Sequence, residues 1–406
     1  MIDLDVIIAR KAIEALRAGV PNRAAIRILG SVETEIEERF LSGIGGVWKD
    51  NQPSGLLFGG GFGSGKSHLL NYLREKALAQ NFIVSWVTIS KETPLSQPGP
   101  VFASAMRNTM VPGRIDDAVT TVLAEVQSRQ GAVQDLELWA STPESRLAPV
   151  FAAVTHILAR NLPSDLVQGI ESFLAGGKPP SAGVRLKLAD LGAKGMFDLS
   201  GVKAAELQVQ RPRFMAQLIH AAGFAGWCVL LDEVELIGRY GPVQRATAYA
   251  ELARWLGQPV PGLHVTGAIT DDFASEVIDV RCDDEKLPER LRNRGLPRQA
   301  ELAVAAMDLI RKAPTLAAPR DADLLRHAAI LRDCYTTAYS WPAPPATVAE
   351  RRANRTMRHH VRGWITEWDM LRLEGSSTGL DVTTAATNYS ENDDLTAPPE
   401  EDAPEG

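Results

Sequence analysis

The chain has 406 residues, 45% hydrophobic and 23% charged, the balance of an ordinary globular protein with room for one large domain plus appendages, or for two domains. Its net charge of −7 is uneven: eight acids and no Lys or Arg fall between residues 376 and 406, which leaves +1 for the body, so any nucleic-acid contact must come from a local patch. No run nears the roughly 18 apolar residues of a membrane span. Three widely spaced cysteines, Cys228, Cys282 and Cys334, without a CxxC pair, fit a reducing cytoplasm and neither a disulfide framework nor a zinc site.

The opening stretch MIDLDVIIARKAIEALRAG mixes acids and bases with its apolar residues, which argues against a signal peptide. Residues 3–18 read as a helix, GVPNR (19–23) breaks it, and Asn22 can cap the next helix. A further helix is expected over about 31–43, followed by a loop. Four short apolar segments come next: GLLFG (55–59), FIVSWVTI (82–89), WCVLLDE (227–233) and LHVTGAIT (263–270). They are nearly continuous in apolar character, as strands buried on both faces of a parallel sheet are. Helical stretches separate them, so an α/β sandwich is the expected class.

Residues 101–222 carry no convincing strand. They carry helix-like stretches at 116–129, 146–161, 164–176 and 213–223, which read as a helical insertion into the sheet domain or as a separate helical domain. A helix is expected near 272–278, then the basic run EKLPERLRNRGLPRQ (285–299), then helices over about 300–374. The Ser/Thr/Pro/acid-rich end has the composition of a disordered tail. The domain reading is therefore an N-terminal helical segment 1–50, an α/β core 51–299 with the insertion at about 101–222, a helical C-terminal part 300–375 and an acidic tail 376–406.

The stretch GGFGSGKS, Gly60 to Ser67, satisfies GxxxxGK[ST] between a strand and a helix. Gly60, Gly61, Gly63 and Gly65 let backbone N–H groups curl around phosphates without obstruction from side chains, with Phe62 and Ser64 between them. The helix that starts there, with His68 in its first turn, adds free N–H groups and a favourable dipole. Lys66 neutralises β/γ-phosphate charge and Ser67 offers a hydroxyl to Mg²⁺. In CVLLDEVE (228–235) a buried strand delivers Asp232 to the metal, and Glu233 follows, placed to polarise an attacking water. Thr270 ends the next strand, as a holder of the lytic water, a γ-phosphate sensor or a strand-end cap.

Arg290, Arg292 and Arg294 are candidates for an arginine finger offered to a neighbouring subunit, or form a solvated basic helix. Near the C-terminus Arg351, Arg355, Arg358 and Arg362 share one helical face, and Met357, Val361, Trp364, Trp368 and Leu371 form an apolar one. The basic face could reach the nucleotide, meet nucleic-acid phosphate or lie in solvent.

Together these pieces resemble an AAA+-type phosphate-loop ATPase of the origin-recognition-like branch. More closely, over about residues 1–374, the chain resembles the ATP-binding proteins of BREX-type phage-defence systems. The carriers are EALRAGVPNRAAIRIL, FGSGKSHLL, ISKETPL, GFAGWCVLLDEVE, YTTAYSW and RHHVRGWITEWD. The resemblance implies an ATPase using ATP and Mg²⁺, working beside other defence proteins such as a helicase or nuclease, on or near DNA, as a homo-oligomer. It also implies that Arg358 or Arg362 is the lid arginine near the γ-phosphate, and that GVPNR lies by the adenine. Origin-type relatives usually carry a winged helix after the lid. Here the acidic stretch follows, so DNA contact is expected through the ATPase body, the insertion or an assembled ring. Three readings compete: a hydrolysing switch or motor, a nucleotide-dependent scaffold that recruits a helicase or nuclease without turnover, and a small-molecule kinase or metabolic NTPase. Glu233, the insertion and the arginine-bearing lid weigh against the third.

Overall fold

The computed structural model describes residues 4–19, 22–49, 55–114, 117–160, 164–200, 203–346, 356–376 and Tyr389. Its centre is a five-stranded sheet. β1 (Gly55–Gly59), β2 (Phe82–Thr88), β4 (Gly226–Asp232) and β5 (Leu263–Ile269) run parallel, and β3 (Thr109–Met110) pairs antiparallel with β2. The spatial order is β1-β5-β4-β2-β3. The expected α/β class is therefore what forms: a mostly parallel sheet flanked by helices.

β4 shows why the apolar segments become central strands. Trp227, Val229 and Leu231 enter one core with helices on that face, while Cys228 and Leu230 enter the core on the other face. Both faces exclude water, so nothing in the strand alternates in polarity. The four apolar segments land on strands to within a residue at each end. β3 corrects the expectation that 101–222 is free of strand. Two residues are too few for any periodicity, and a hydroxyl relay holds them: Trp227 Nε1 donates to Ser85 Oγ at 2.8 Å, and Ser85 Oγ lies 2.7 Å from Thr109 Oγ1.

The helices of 101–222 do not build a core of their own. Val119, Phe151, Phe173 and Phe214 belong to the same apolar cluster as Val229, Leu231 and Val265 of the sheet. The last of these helices runs Ala204–Ala221, starting nine residues before the sequence expectation because it continues through Pro212. Helix Pro297–Arg311 also packs on this body, against Pro242–Gly257 and Asp283–Asn293.

A second core joins the two ends of the chain. Ala9, Ala12 and Ile13 of helix Leu4–Ala18 pack with Leu331, Tyr335, Trp364 and Trp368 of helices Asp321–Tyr339 and Met357–Glu374. Arg17 clamps it with a forked contact to Asp369, Nη2 to Oδ2 at 2.8 Å and Nε to Oδ2 at 3.1 Å. The first helix and the last thus form one small helical body. Helix Arg23–Leu29 leads from it toward the sheet, capped by Asn22, whose Oδ1 accepts from Ala24 N at 2.9 Å. The segment before the second body lies against β1: Gly59 N donates to Pro314 O, and Leu316 N to Gly59 O, each at 2.8 Å. Among the described residues no helix is long and apolar enough to cross a membrane.

Candidate functional site

Residues 60–65 make the turn between β1 and helix Lys66–Ala79. Gly63 and Gly65 have φ of +75° and +114°, a region that residues with a Cβ avoid, so the turn needs glycine there. Gly60 N donates to Ile269 O at 3.0 Å, which ties the turn to β5. The N–H groups of the first helical turn have no acceptor inside the helix and converge on the concavity the turn encloses. Lys66 Nζ reaches back over the turn and donates to Gly60 O at 2.8 Å. That is a self-satisfied ammonium, ready to exchange a carbonyl for a stronger anionic acceptor.

Because β5 lies between β1 and β4, the ends of all three strands deliver their polar residues to one edge. Lys66 and Ser67 arrive from the turn after β1, Asp232 and Glu233 from β4, and Thr270 from β5. The Ser67 hydroxyl hydrogen-bonds the Asp232 carboxylate, and Asp232 Oδ1 also accepts from Glu233 N at 3.1 Å. Burial raises the Asp232 carboxyl above its ordinary range, against those hydrogen bonds and the Lys66 charge. Glu233 is also raised, by burial and then by Asp232 beside it. Its backbone sits at φ +61°, the left-handed region, a strain that turns the chain sharply out of the sheet into the 3₁₀ helix Val234–Arg239.

That turn brings in a residue the sequence reading passed over. Glu235 comes back toward the turn after β1, with Oε1 3.5 Å from Lys66 Nζ. Its Oε2 is buried without a hydrogen-bond partner among the described residues. Burial pushes this carboxyl up to about 7, with Lys66 opposing. The signal was present as a second acid in DEVE, but only the left-handed turn at Glu233 decides that it faces inward.

The cavity over the turn is walled by three parts of the chain. Leu16, Gly19, Asn22 and Gly30 come from the N-terminal helices, Leu316, Ala317 and Pro319 from the strap along β1, and His327, Met357, Arg358 and Val361 from the second helical body. Gly61, Phe62, Gly63, Ser64, Gly65, Lys66, Ser67, His68, Glu233 and Glu235 form its floor. His68 is fixed by a 2.8 Å contact from Nε2 to Gly30 O, and burial keeps its imidazole below the usual range, hence neutral.

Of the two arginines expected near the γ-phosphate, the structure brings Arg358 to the cavity, its guanidinium 5.6 Å over the Phe62 ring. Arg362, one turn later, is exposed and does not line the cavity. Arg351 and Arg355, and Val20 and Pro21 of GVPNR, lie outside the described residues. Arg290, Arg292 and Arg294 are exposed at the end of helix Asp283–Asn293 and do not line the cavity. Thr270 is buried and does not line it either; its hydroxyl bonds Tyr389.

No group of three or more His, Cys, Asp or Glu side chains able to hold a metal occurs among the described residues. A magnesium ion shared with phosphates does not require one, since it takes one or two protein oxygens and fills its shell with phosphate and water. The hydrogen-bonded Ser67–Asp232 pair is a donor set of that kind.

Residues 7–137 match the family model described as BREX system ATP-binding protein BrxC/D. The family read from the sequence is thus borne out, through a match that covers about a third of the chain and includes the turn at residues 60–65. The family's description names ATP as its ligand. Neither the curated proteins nor the solved structures contain a match to the chain.

Proposed function

We propose that this chain is an AAA+-like phosphate-loop ATPase that binds and hydrolyses ATP as a switch or motor in a phage-defence system. The observation that carries the reading is the meeting, at one edge of the sheet, of Lys66 and Ser67 with Asp232 and Glu233. Lys66 and the free amides of the turn and of the first helical turn hold the triphosphate, and Arg358 closes over it from the lid. Ser67 and Asp232 hold Mg²⁺, which when bound spreads the developing phosphate charge. Glu233 takes a proton from the attacking water, a role suited to a carboxyl already raised by burial and by Asp232. Thr270 orients that water or the γ-phosphate.

The base occupies the part of the cavity between Gly19, Asn22 and Met357, and apolar walls from both helical segments support that placement. ATP then bridges the sheet body and the small helical body, so binding and release can move one against the other. The domain division follows: the sheet body with its insertion and helix Pro297–Arg311 form the core, and the two ends of the chain form the lid.

Arg290, Arg292 and Arg294 are exposed and do not line their own cavity, which supports a role toward a second copy or toward DNA phosphate. The experiment is steady-state phosphate release by wild type and Lys66→Ala, with and without duplex DNA. Wild type releases phosphate and Lys66→Ala does not. Equal, background release by both in every condition would remove the motor reading and favour the scaffold one. DNA affinity that falls steeply with salt supports direct phosphate contact, and no binding at low salt removes it.

A further inference from the structure

Of the residues after Ser376, the structure describes Tyr389, seated at the C-terminal end of β5. Each part of it has a partner. The hydroxyl bonds the Thr270 hydroxyl and donates to Asp272 Oδ1 at 2.7 Å. The ring stands edge-on to Phe273, centroids 5.9 Å apart at 88°. The backbone carbonyl accepts from the Arg281 guanidinium, which also donates to Gly238 O at 2.9 Å. Gly238 leaves the room, since a Cβ there would stand 3.2 Å from the tyrosine ring and 3.0 Å from Phe273. The seat lies between the 3₁₀ helix that carries Glu235 and the π-helical turn Ala274–Asp279, a rare conformation found often at functional sites.

Counting protons shows what the seat does to Thr270. A tyrosine has one hydroxyl proton, and a carboxylate can only accept, so that proton goes to Asp272. The bond to Thr270 therefore uses the threonine's single proton, donated to the Tyr389 oxygen. With Tyr389 seated, Thr270 has no proton left to give a phosphate oxygen.

We propose that this cleft is a tyrosine-binding site whose occupant is the chain's own Tyr389, and that the seated tyrosine slows ATP turnover by consuming the Thr270 donor. The proposal rests on the reading of Thr270 as a group that acts at the γ-phosphate. The tyrosine sits beside the proposed catalytic edge, and full turnover requires it to leave.

Two measurements on the full chain test it. In the first, ATP turnover is compared among wild type, Tyr389→Phe and Tyr389→Ala. Loss of one hydrogen bond of ordinary net strength raises turnover about fivefold in Tyr389→Phe, with KM for ATP within roughly twofold of wild type, and at least as much in Tyr389→Ala. Turnover equal to or below wild type in both variants overturns the proposal. The second does not depend on hydrolysis. A 3-fluorotyrosine placed at position 389 reports its surroundings by fluorine NMR in wild type and in Gly238→Ala. The expected resonance is shifted in wild type and moves toward the free-tyrosine position in Gly238→Ala, whose Cβ requires the ring to give by a few tenths of an ångström. The same free-tyrosine resonance in both means the seat is not used in solution, and the proposal falls whatever the turnover. A shifted resonance with no hydrolysis by wild type or either Tyr389 variant sinks the hydrolysis reading and the brake with it.

Discussion

Replacing Glu235 by Gln probes the least expected member of the site. Burial holds its carboxyl at about 7, and Lys66 at 3.5 Å is its counter-charge. A triphosphate takes that ammonium as its own partner and brings negative charge to the same spot. The bound state therefore favours the neutral carboxylic acid. Below pH 7 the empty protein already carries the proton. At pH 8 it has lost it, one unit above the pKa, and restoring it costs about 1.4 kcal/mol, or about tenfold in Kd. Wild-type affinity for ATP is thus expected to weaken about tenfold more between pH 6 and pH 8 than that of Glu235→Gln. The nucleotide's own titration is common to both proteins and cancels in the comparison. Calorimetry in two buffers of different ionisation enthalpy supplies a second reading: wild type takes up about one proton more per nucleotide at pH 8 than the variant. Equal pH slopes and equal proton uptake would refute the placement of Glu235 against the triphosphate.

Three further outcomes concern stability. Glu251 is also buried, with its carboxyl raised to about 7 by burial against Arg254. The folded chain then binds a proton that the unfolded chain has released between about pH 4.5 and 7, so stability falls as pH rises through that window and stays low above it. Glu251→Gln is expected to stabilise the protein at pH 8 by about 1–3 kcal/mol and to change little at pH 4, read from denaturant midpoints. Arg245 makes a buried fork to Asp283, Nε to Oδ2 at 2.7 Å and Nη2 to Oδ1 at 2.9 Å, and Tyr249 joins at 3.0 Å. Asp283→Ala strips a buried guanidinium of its carboxylate and is expected to cost about 3–5 kcal/mol, whereas Arg245→Met with Asp283→Leu recovers most of it. Asn22→Ala removes a helix cap and is expected to cost about 1 kcal/mol in the same assay.

The parts legible in the sequence were those whose signal is local. The four long strands announced themselves because burial on both faces leaves them nearly continuous in apolar character, with few polar residues such as Ser85 and His264, both buried. The phosphate turn was legible because its glycines, lysine and serine answer to one ligand at fixed spacing, and Asn22 because a cap acts two residues away. What escaped depends on contacts far apart in the chain. β3 is two residues held by a relay to Trp227, and the start of helix Ala204–Ala221 hid behind Pro212. The union of the first helix with the last rests on an apolar core clamped by Arg17 and Asp369, whose members no local periodicity connects. Glu235 needed the left-handed turn at Glu233, and the seating of Tyr389 needed the space at Gly238.

The central claim is that Glu233 activates the water that cleaves ATP, and the most direct test is the identity of the nucleotide held after one binding event. Wild type and Glu233→Gln are mixed with a substoichiometric amount of ATP and Mg²⁺, quenched over time, and the bound nucleotide is resolved. Both are expected to bind ATP; wild type converts it to ADP, and Glu233→Gln retains it intact, converting it at least about a hundredfold more slowly. Conversion at the same rate in both would contradict the assignment of the base, and ATP retained intact by both would contradict hydrolysis itself.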